Sequence, residues 1–248
     1  MADVVIEQTV DLDQPTLVEG LPGVGLVGKI ATDHVVETFD MTRIGHIDCD
    51  GLPKIAIYGE ESRDVHFPVR LYGDETRDLL ALQSDVPVSR DLSPGFARTV
   101  TDWVADVGAV PLYLSGQPLD RERTADVPSI FGVATGDGTG VLEEHGIRTP
   151  RERGAIGGPT GALINRAAAE GIQSLGIVVE SDPQFPDPAA ARQLIVKAIE
   201  PIAEVSVETD ELVEHAEEIR KQKAELAKRM GDAGEEESSQ AKPLGMFQ

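Results

Sequence analysis

The stretch Glu19-Gly20-Leu21-Pro22-Gly23-Val24-Gly25-Leu26-Val27-Gly28-Lys29-Ile30-Ala31 joins a short apolar run, Thr16-Leu17-Val18-Glu19, to a helical pattern over Val27–Phe39. Its glycines mark a tight passage from strand to helix, the punctuation of a βαβ unit. The same alternation recurs along the chain. Strands are expected at Thr42–Asp48, Lys54–Tyr58, Val65–Tyr72, Asp78–Gln83, Ala109–Leu114, Ser129–Val133 and Ser174–Glu180. Helices are expected at Ser93–Val107, with Ser93 as N-cap and Pro94 in the first position, at Pro159–Glu170, and at Pro188–Ile202 behind an Asp187 cap. The pattern predicts an α/β fold: a mixed, largely parallel sheet flanked by helices. An antiparallel portion is expected where strand candidates follow one another between Thr42 and Gln83.

Gly23, Gly25 and Gly28 stand at the G-x-G-x-x-G spacing, and Asp48 lies 20 residues beyond Gly28. In a dinucleotide site, backbone N–H groups and a helix N-terminus face a pyrophosphate while the carboxylate takes a ribose hydroxyl. Two features argue against that use. Gly20-Leu21-Pro22 separates strand from turn, and several strands follow where a βαβαβ half would be needed. The glycines are therefore read as structural, allowing a tight turn and close helix-to-sheet contact, as are Gly157, Gly158 and Gly161 further on.

Of the 248 residues, 44 are Asp or Glu and 22 are Lys or Arg, a net charge of −22. Such a field disfavours nucleic acid and anionic membrane surfaces as partners. With 40% hydrophobic residues the chain can still build a core. Only 7 of the bases are lysines, and acids run from Asp3 to Glu237. That spread suits a salt-adapted surface; a basic partner is the rival explanation. Aromatics are 4% and Cys49 is the single cysteine, which excludes an intrachain disulfide and a cysteine-based zinc cage. No basic n-region with an apolar core opens the chain, and no uncharged apolar run approaches the ~20 residues of a membrane span. A soluble, cytoplasmic protein is expected.

No catalytic constellation or cofactor site emerges from the residues. His34, His46, His66, His145 and His215 are scattered without metal-ligand spacing. Ser115, in Tyr113-Leu114-Ser115-Gly116-Gln117, lacks the nucleophile-elbow pattern and reads as a strand end. Cys49 sits between Asp48 and Asp50, whose charges oppose thiolate formation, in a strand-end turn. Ala134 to Gly140 lacks the spacing of a calcium loop and reads as a flexible turn. An enzyme with a pocket beside Gly23–Gly28, a transferase or hydrolase, is the alternative function.

Four segments in register resemble the proteasome assembly chaperone 2 family in its archaeal branch. They are Glu19–Ala31, Leu79-Leu80-Ala81-Leu82-Gln83-Ser84-Asp85, Gly157-Gly158-Pro159-Thr160-Gly161-Ala162-Leu163-Ile164, and Glu180-Ser181-Asp182-Pro183-Gln184-Phe185-Pro186-Asp187-Pro188-Ala189-Ala190-Ala191. The resemblance covers about residues 4 to 230. It implies a nucleoside-phosphorylase-like sandwich and a noncatalytic role in assembling or capping the proteasome core, without cofactor or metal. Residues 1–207 would form the family's domain. Residues 208–230 would form a helix whose seam, Leu212, Ala216, Ile219, Lys223, Leu226 and Met230, serves a short coiled coil, a subunit contact or the chain's own domain.

Residues 231–248 begin as a glycine, serine and acid linker of about 12 residues, spanning roughly 20 Å, and end in Pro243-Leu244-Gly245-Met246-Phe247-Gln248. Family members resembling this chain carry a terminal hydrophobic-tyrosine-any motif that docks between adjacent α-subunits of the core particle, where a lysine receives the last carboxylate. By that resemblance Met246 is the adaptable apolar contact, Phe247 replaces the tyrosine ring and Gln248 supplies the carboxylate. Several tails on a homo-oligomer would add avidity. Without the resemblance, Met246–Gln248 also fits a frayed end.

Overall fold

A computed structural model of the chain describes residues 2–58, 63–118 and 127–216. In chain order its strands are β1 (Ala2–Ile6), β2 (Thr16–Gly20), β3 (Thr42–Cys49), β4 (Ile57–Tyr58), β5 (Val65–His66), β6 (Val69–Asp74), β7 (Leu79–Ser84), β8 (Val110–Pro118), β9 (Ile130–Thr135) and β10 (Ser174–Ser181). The helices are α1 (Val27–Thr38), α2 (Ser93–Val107), α3 (Gly138–Glu144), α4 (Gly158–Glu170), α5 (Pro188–Leu194) and α6 (Glu200–Ala203).

Alternation along the central strands builds two cores, one on each side of the sheet. Leu79 and Ala81 of β7, Val18 of β2 and Leu112 and Leu114 of β8 face one side, with Ala31 and Val35 of α1 and Leu194 of α5. Leu80, Leu82, Leu17 and Tyr113 face the other, against Phe96, Val100 and Trp103 of α2 and Leu163 of α4. Burial on both faces is the condition under which parallel strands are stable, and it explains their continuous apolar sequences.

The eight-stranded sheet runs β1-β3-β6-β7-β2-β8-β10-β9, while β4 and β5 form a separate pair. The expected mixed α/β class holds. Parallel pairing is confined to the central four strands, β7, β2, β8 and β10; the flanking pairs are antiparallel.

Several local expectations change. The candidate Val65–Tyr72 divides into β5 and β6 around Phe67-Pro68, because proline has no N–H to donate to a ladder. Lys54–Tyr58 keeps only Ile57–Tyr58 as strand. β1 was not anticipated; it joins the edge through antiparallel pairing with β3. The supposed flexible turn after β9 is one bend at Gly136 followed directly by α3. Ser93 lies inside the first turn of α2 behind Leu92, and its hydroxyl donates to the Ser89 carbonyl at 2.8 Å instead of capping. Ser115 is interior to β8, not at its end. Asp187 does cap α5, accepting from the Ala190 N–H at 3.0 Å. From α5 the helix continues through a π turn, Ile195–Ile199, into α6. Pro201 cannot supply an intrahelical N–H and crowds the carbonyl four residues earlier, inside that wide turn.

Candidate functional site

A cleft of about 1230 Å³ opens over the carboxyl ends of β2, β8 and β10, between the Leu21–Gly28 loop and the Arg148–Thr160 segment. Its position follows from topology. β2 continues through α1 to β3 on one side of the sheet, whereas its neighbour β8 continues to β9 at the opposite edge. Divergent connections leave a crevice at the strand ends, the usual place for ligands in open α/β sheets.

Glu19 lies beneath that crevice, fully buried in the middle of the sheet. One carboxylate oxygen accepts from the Leu114 N–H at 3.0 Å and the other from the Thr160 hydroxyl at 2.9 Å, so a single side chain ties β2 to β8 and to the first turn of α4. Burial pushes its pKa from 4.5 up to about 7, against the opposing pull of bonds from Thr160, Leu114 and the Leu21 N–H. Tyr113, the register partner of Glu19 on β8 and buried on the same side of the sheet, is also pushed up, by burial and by the Glu19 charge.

A second polar group surrounds the end of β7. Lys29 Nζ bridges Asp33 and Asp85 at 2.7 and 2.9 Å, and Arg70 donates to Asp85 at 2.6 Å and to Gln83 at 3.0 Å. Burial opposes the Asp85 charge, yet its bonds to Lys29 and Arg70 outweigh it and hold the carboxyl below its ordinary range. The charges in this group are spoken for by one another, an arrangement that fixes α1, β6 and β7 in register.

The PAC2 family profile matches residues 17–227. The chain belongs to the PAC2 family. This PAC2 protein is 25% identical over 219 residues to an uncharacterised protein of Methanocaldococcus jannaschii, spanning 88% of the chain and 87% of that relative. Its fold is that of Pyrococcus furiosus PbaA, described as an archaeal homolog of proteasome-assembly chaperone: TM-score 0.79, 24% identity, 94% of this chain and 99% of PbaA. Pyrococcus furiosus PbaB, an archaeal proteasome activator, superposes with TM-score 0.79 at 20% identity, over 91% of this chain and 98% of PbaB.

In the PAC2 domain two of the three glycines of the first loop, Gly25 and Gly28, stand in close packing. Gly23 is extended before a 3-10 turn over Val24–Leu26, and α1 starts at Val27. Gly25 has φ +61°, and a Cβ there would lie 1.9 Å from the Ser181 hydroxyl oxygen. At Gly28 a Cβ would press on Leu114 at 3.2 Å. Asp48 sits on β3, separated from β2 by β6 and β7, and bonds Lys54 at 2.6 Å. It cannot face the Gly23–Gly28 loop as a ribose ligand would, so the dinucleotide spacing is coincidental. Gly157 is the extended residue before α4, Gly158 opens the helix at φ +66°, and Gly161 lies 2.1 Å, as a built Cβ, from the Ile156 carbonyl.

His46 donates from Nδ1 to the Glu7 carboxylate at 2.8 Å and stacks on Phe67, His34 meets the Glu208 carbonyl, and His66 meets Arg43. Among the described residues no cluster of three metal-ligating side chains occurs. Cys49 closes β3, and burial raises its thiol pKa ahead of the smaller effect of its acidic neighbours. No helix among the described residues is long and apolar enough to cross a membrane. A helical turn over 210–216 buries Leu212 and Ala216. Glu208 and Thr209 are not helical, and residues 217–230, together with Met246, Phe247 and Gln248, lie outside the described residues.

Sequence reasoning passed over Glu19, although a carboxylate ending an apolar strand candidate is a signal. It also passed over the arginines lining the cleft.

Proposed function

We propose that the chain is a noncatalytic proteasome assembly chaperone or cap that acts as a homo-oligomer and docks on the α-ring of the core particle. The observation that carries this reading is that the PAC2 match extends over nearly the whole domain, 17–227, with a fold shared end to end with PbaA. The buried polar chemistry is consistent with a scaffold: Glu19 has both oxygens engaged in holding strands and helix together. Self-association has a candidate surface on the β4–β5 pair, where Ile55, Tyr58, Val65 and Phe67 are all exposed, Tyr58 at 79%. In the docking step Gln248 offers the terminal carboxylate, Phe247 a ring and Met246 a flexible apolar contact. A phenylalanine in place of tyrosine forgoes one hydrogen bond, weakening each tail by about 0.5–1.5 kcal/mol where that bond is made.

Sedimentation of purified core particles with the full chain, at high salt, tests the reading. Co-sedimentation is expected, and deleting Met246–Gln248 should abolish it. If the shortened chain sediments equally well, the tail mechanism is wrong; if the full chain never associates with core particles, the proteasome reading is wrong.

A further inference from the structure

The described residues that line the cleft over β2, β8 and β10 carry a net charge opposite to that of the molecule. Among the described residues Arg90, Arg148, Arg151 and Arg153 line it against two carboxylates, Glu152 and Glu180; four guanidiniums less two carboxylates leave two positive charges, in a chain of net −22. Glu180 is already engaged, accepting from the Ser129 N–H at 3.1 Å. Acids outnumber bases two to one, so an arginine here has no shortage of partners. Arg70, Arg77 and Arg166 each pair with a carboxylate at 2.6 to 2.8 Å. The four cleft arginines form no ion pair among the described residues. A positive lining within an acidic surface favours a small anion in this cleft over the carboxylate-rich surface around it.

Two further features suit such an anion. α4 is 13 residues long, its first turn lies at the cleft, and no side chain caps it. Gly157 and Gly158 are exposed at this end of the helix. The remaining walls are apolar, with Leu21, Val24, Ile130, Phe131 and Val178 among them. The volume, about 1230 Å³, exceeds the roughly 300–1,000 Å³ of ordinary small-molecule sites.

We propose that this cleft binds a small organic phosphate, its phosphate held by the arginines and the start of α4, its apolar body against the Phe131 side. Guanidinium forks pair bidentately with phosphate oxygens, and a phosphate dianion matches the two uncompensated charges; a carboxylate offers one charge and two oxygens. Beneath the cleft the Thr160 hydroxyl in the first turn of α4 donates to Glu19 at 2.9 Å. None of the described residues that line the cleft belongs to the terminal segment invoked for docking.

Titration of the full chain with phenyl phosphate, inorganic phosphate and benzoate, by calorimetry at low chloride, tests this. Phenyl phosphate should bind about tenfold or more tightly than either of the others, because only it combines dianion and ring. The triple variant Arg148→Gln/Arg151→Gln/Arg153→Gln should lose about tenfold or more of that affinity. Equal affinity for benzoate, no measurable phenyl phosphate binding, or unchanged affinity in the folded triple variant would overturn the proposal. A second measurement needs no variant: phenyl phosphate should protect these arginines of the unaltered chain from phenylglyoxal, mapped by mass spectrometry, and unprotected arginines would overturn it equally. Core-particle co-sedimentation of the triple variant should stay unchanged, so failure of this site and failure of the proteasome reading are told apart.

Discussion

Glu19 occupies a position where an aliphatic side chain would pack, and three donors keep it there. Its pKa is near 7 folded and 4.5 when exposed, so between those values the folded state holds the proton more firmly than the unfolded chain does. Stability contributed by this group is therefore greatest at low pH and declines as pH rises from about 4.5 to about 7. The decline is on the order of 3 kcal/mol for a shift of this size. Glu19→Gln removes the titration while keeping an acceptor for Thr160. Urea unfolding at pH 5 and pH 8 should show a smaller difference between the two conditions in the variant than in the parent; an identical difference would exclude Glu19 as the titrating group. The sequence exposes the oddity of a carboxylate after Thr16-Leu17-Val18, but its partner Thr160 is 141 residues away, and pairing over that distance is set by the sheet order.

At the scale of elements, the loop from β2 to α1 shows that glycines in one motif are unequal. Gly25 combines a left-handed backbone with contact against Ser181, whereas Gly23 is extended at φ −144° with open space around it. Gly25→Ala should cost about 2 kcal/mol or more, and Gly23→Ala should fall within about 0.5 kcal/mol of the parent. Chemical denaturation of the two variants checks this; equal stabilities would contradict the assigned packing. The loop was legible as a turn from glycine content alone. Which glycine is indispensable was not, because the obstacle, Ser181, arrives from the end of β10. Asp187, by contrast, was legible as a cap: its acceptor role reaches only three residues along the chain.

At the scale of the molecule, charge is spread unevenly. Residues 1–207 hold 33 acids and 16 bases, or −17; residues 208–230 hold 7 and 5, or −2; residues 231–248 hold 4 and 1, or −3. Self-repulsion over the domain should be relieved by salt, since the screening length falls from about 10 Å at 0.1 M to about 3 Å at 1 M. The thermal unfolding midpoint is expected to rise steadily from low to molar potassium chloride; a flat or falling profile would rule out salt adaptation of this surface. Class of fold, most of the strand and helix order, the proline starts of α4 and α5, and the family resemblance were set by sequence, because periodicity, capping and turn chemistry act within a few residues. The antiparallel run through β3, β6 and β7 was expected from consecutive strand candidates, but the antiparallel attachment of β9, the capture of β1 at the edge and the separation of Asp48 from the glycine loop were decided only in three dimensions. So was the gathering of Arg90 with Arg148, Arg151 and Arg153 around one cleft. Each depends on which distant strands pair, and that choice minimises exposed apolar surface over the whole sheet, a sum no local stretch of sequence contains.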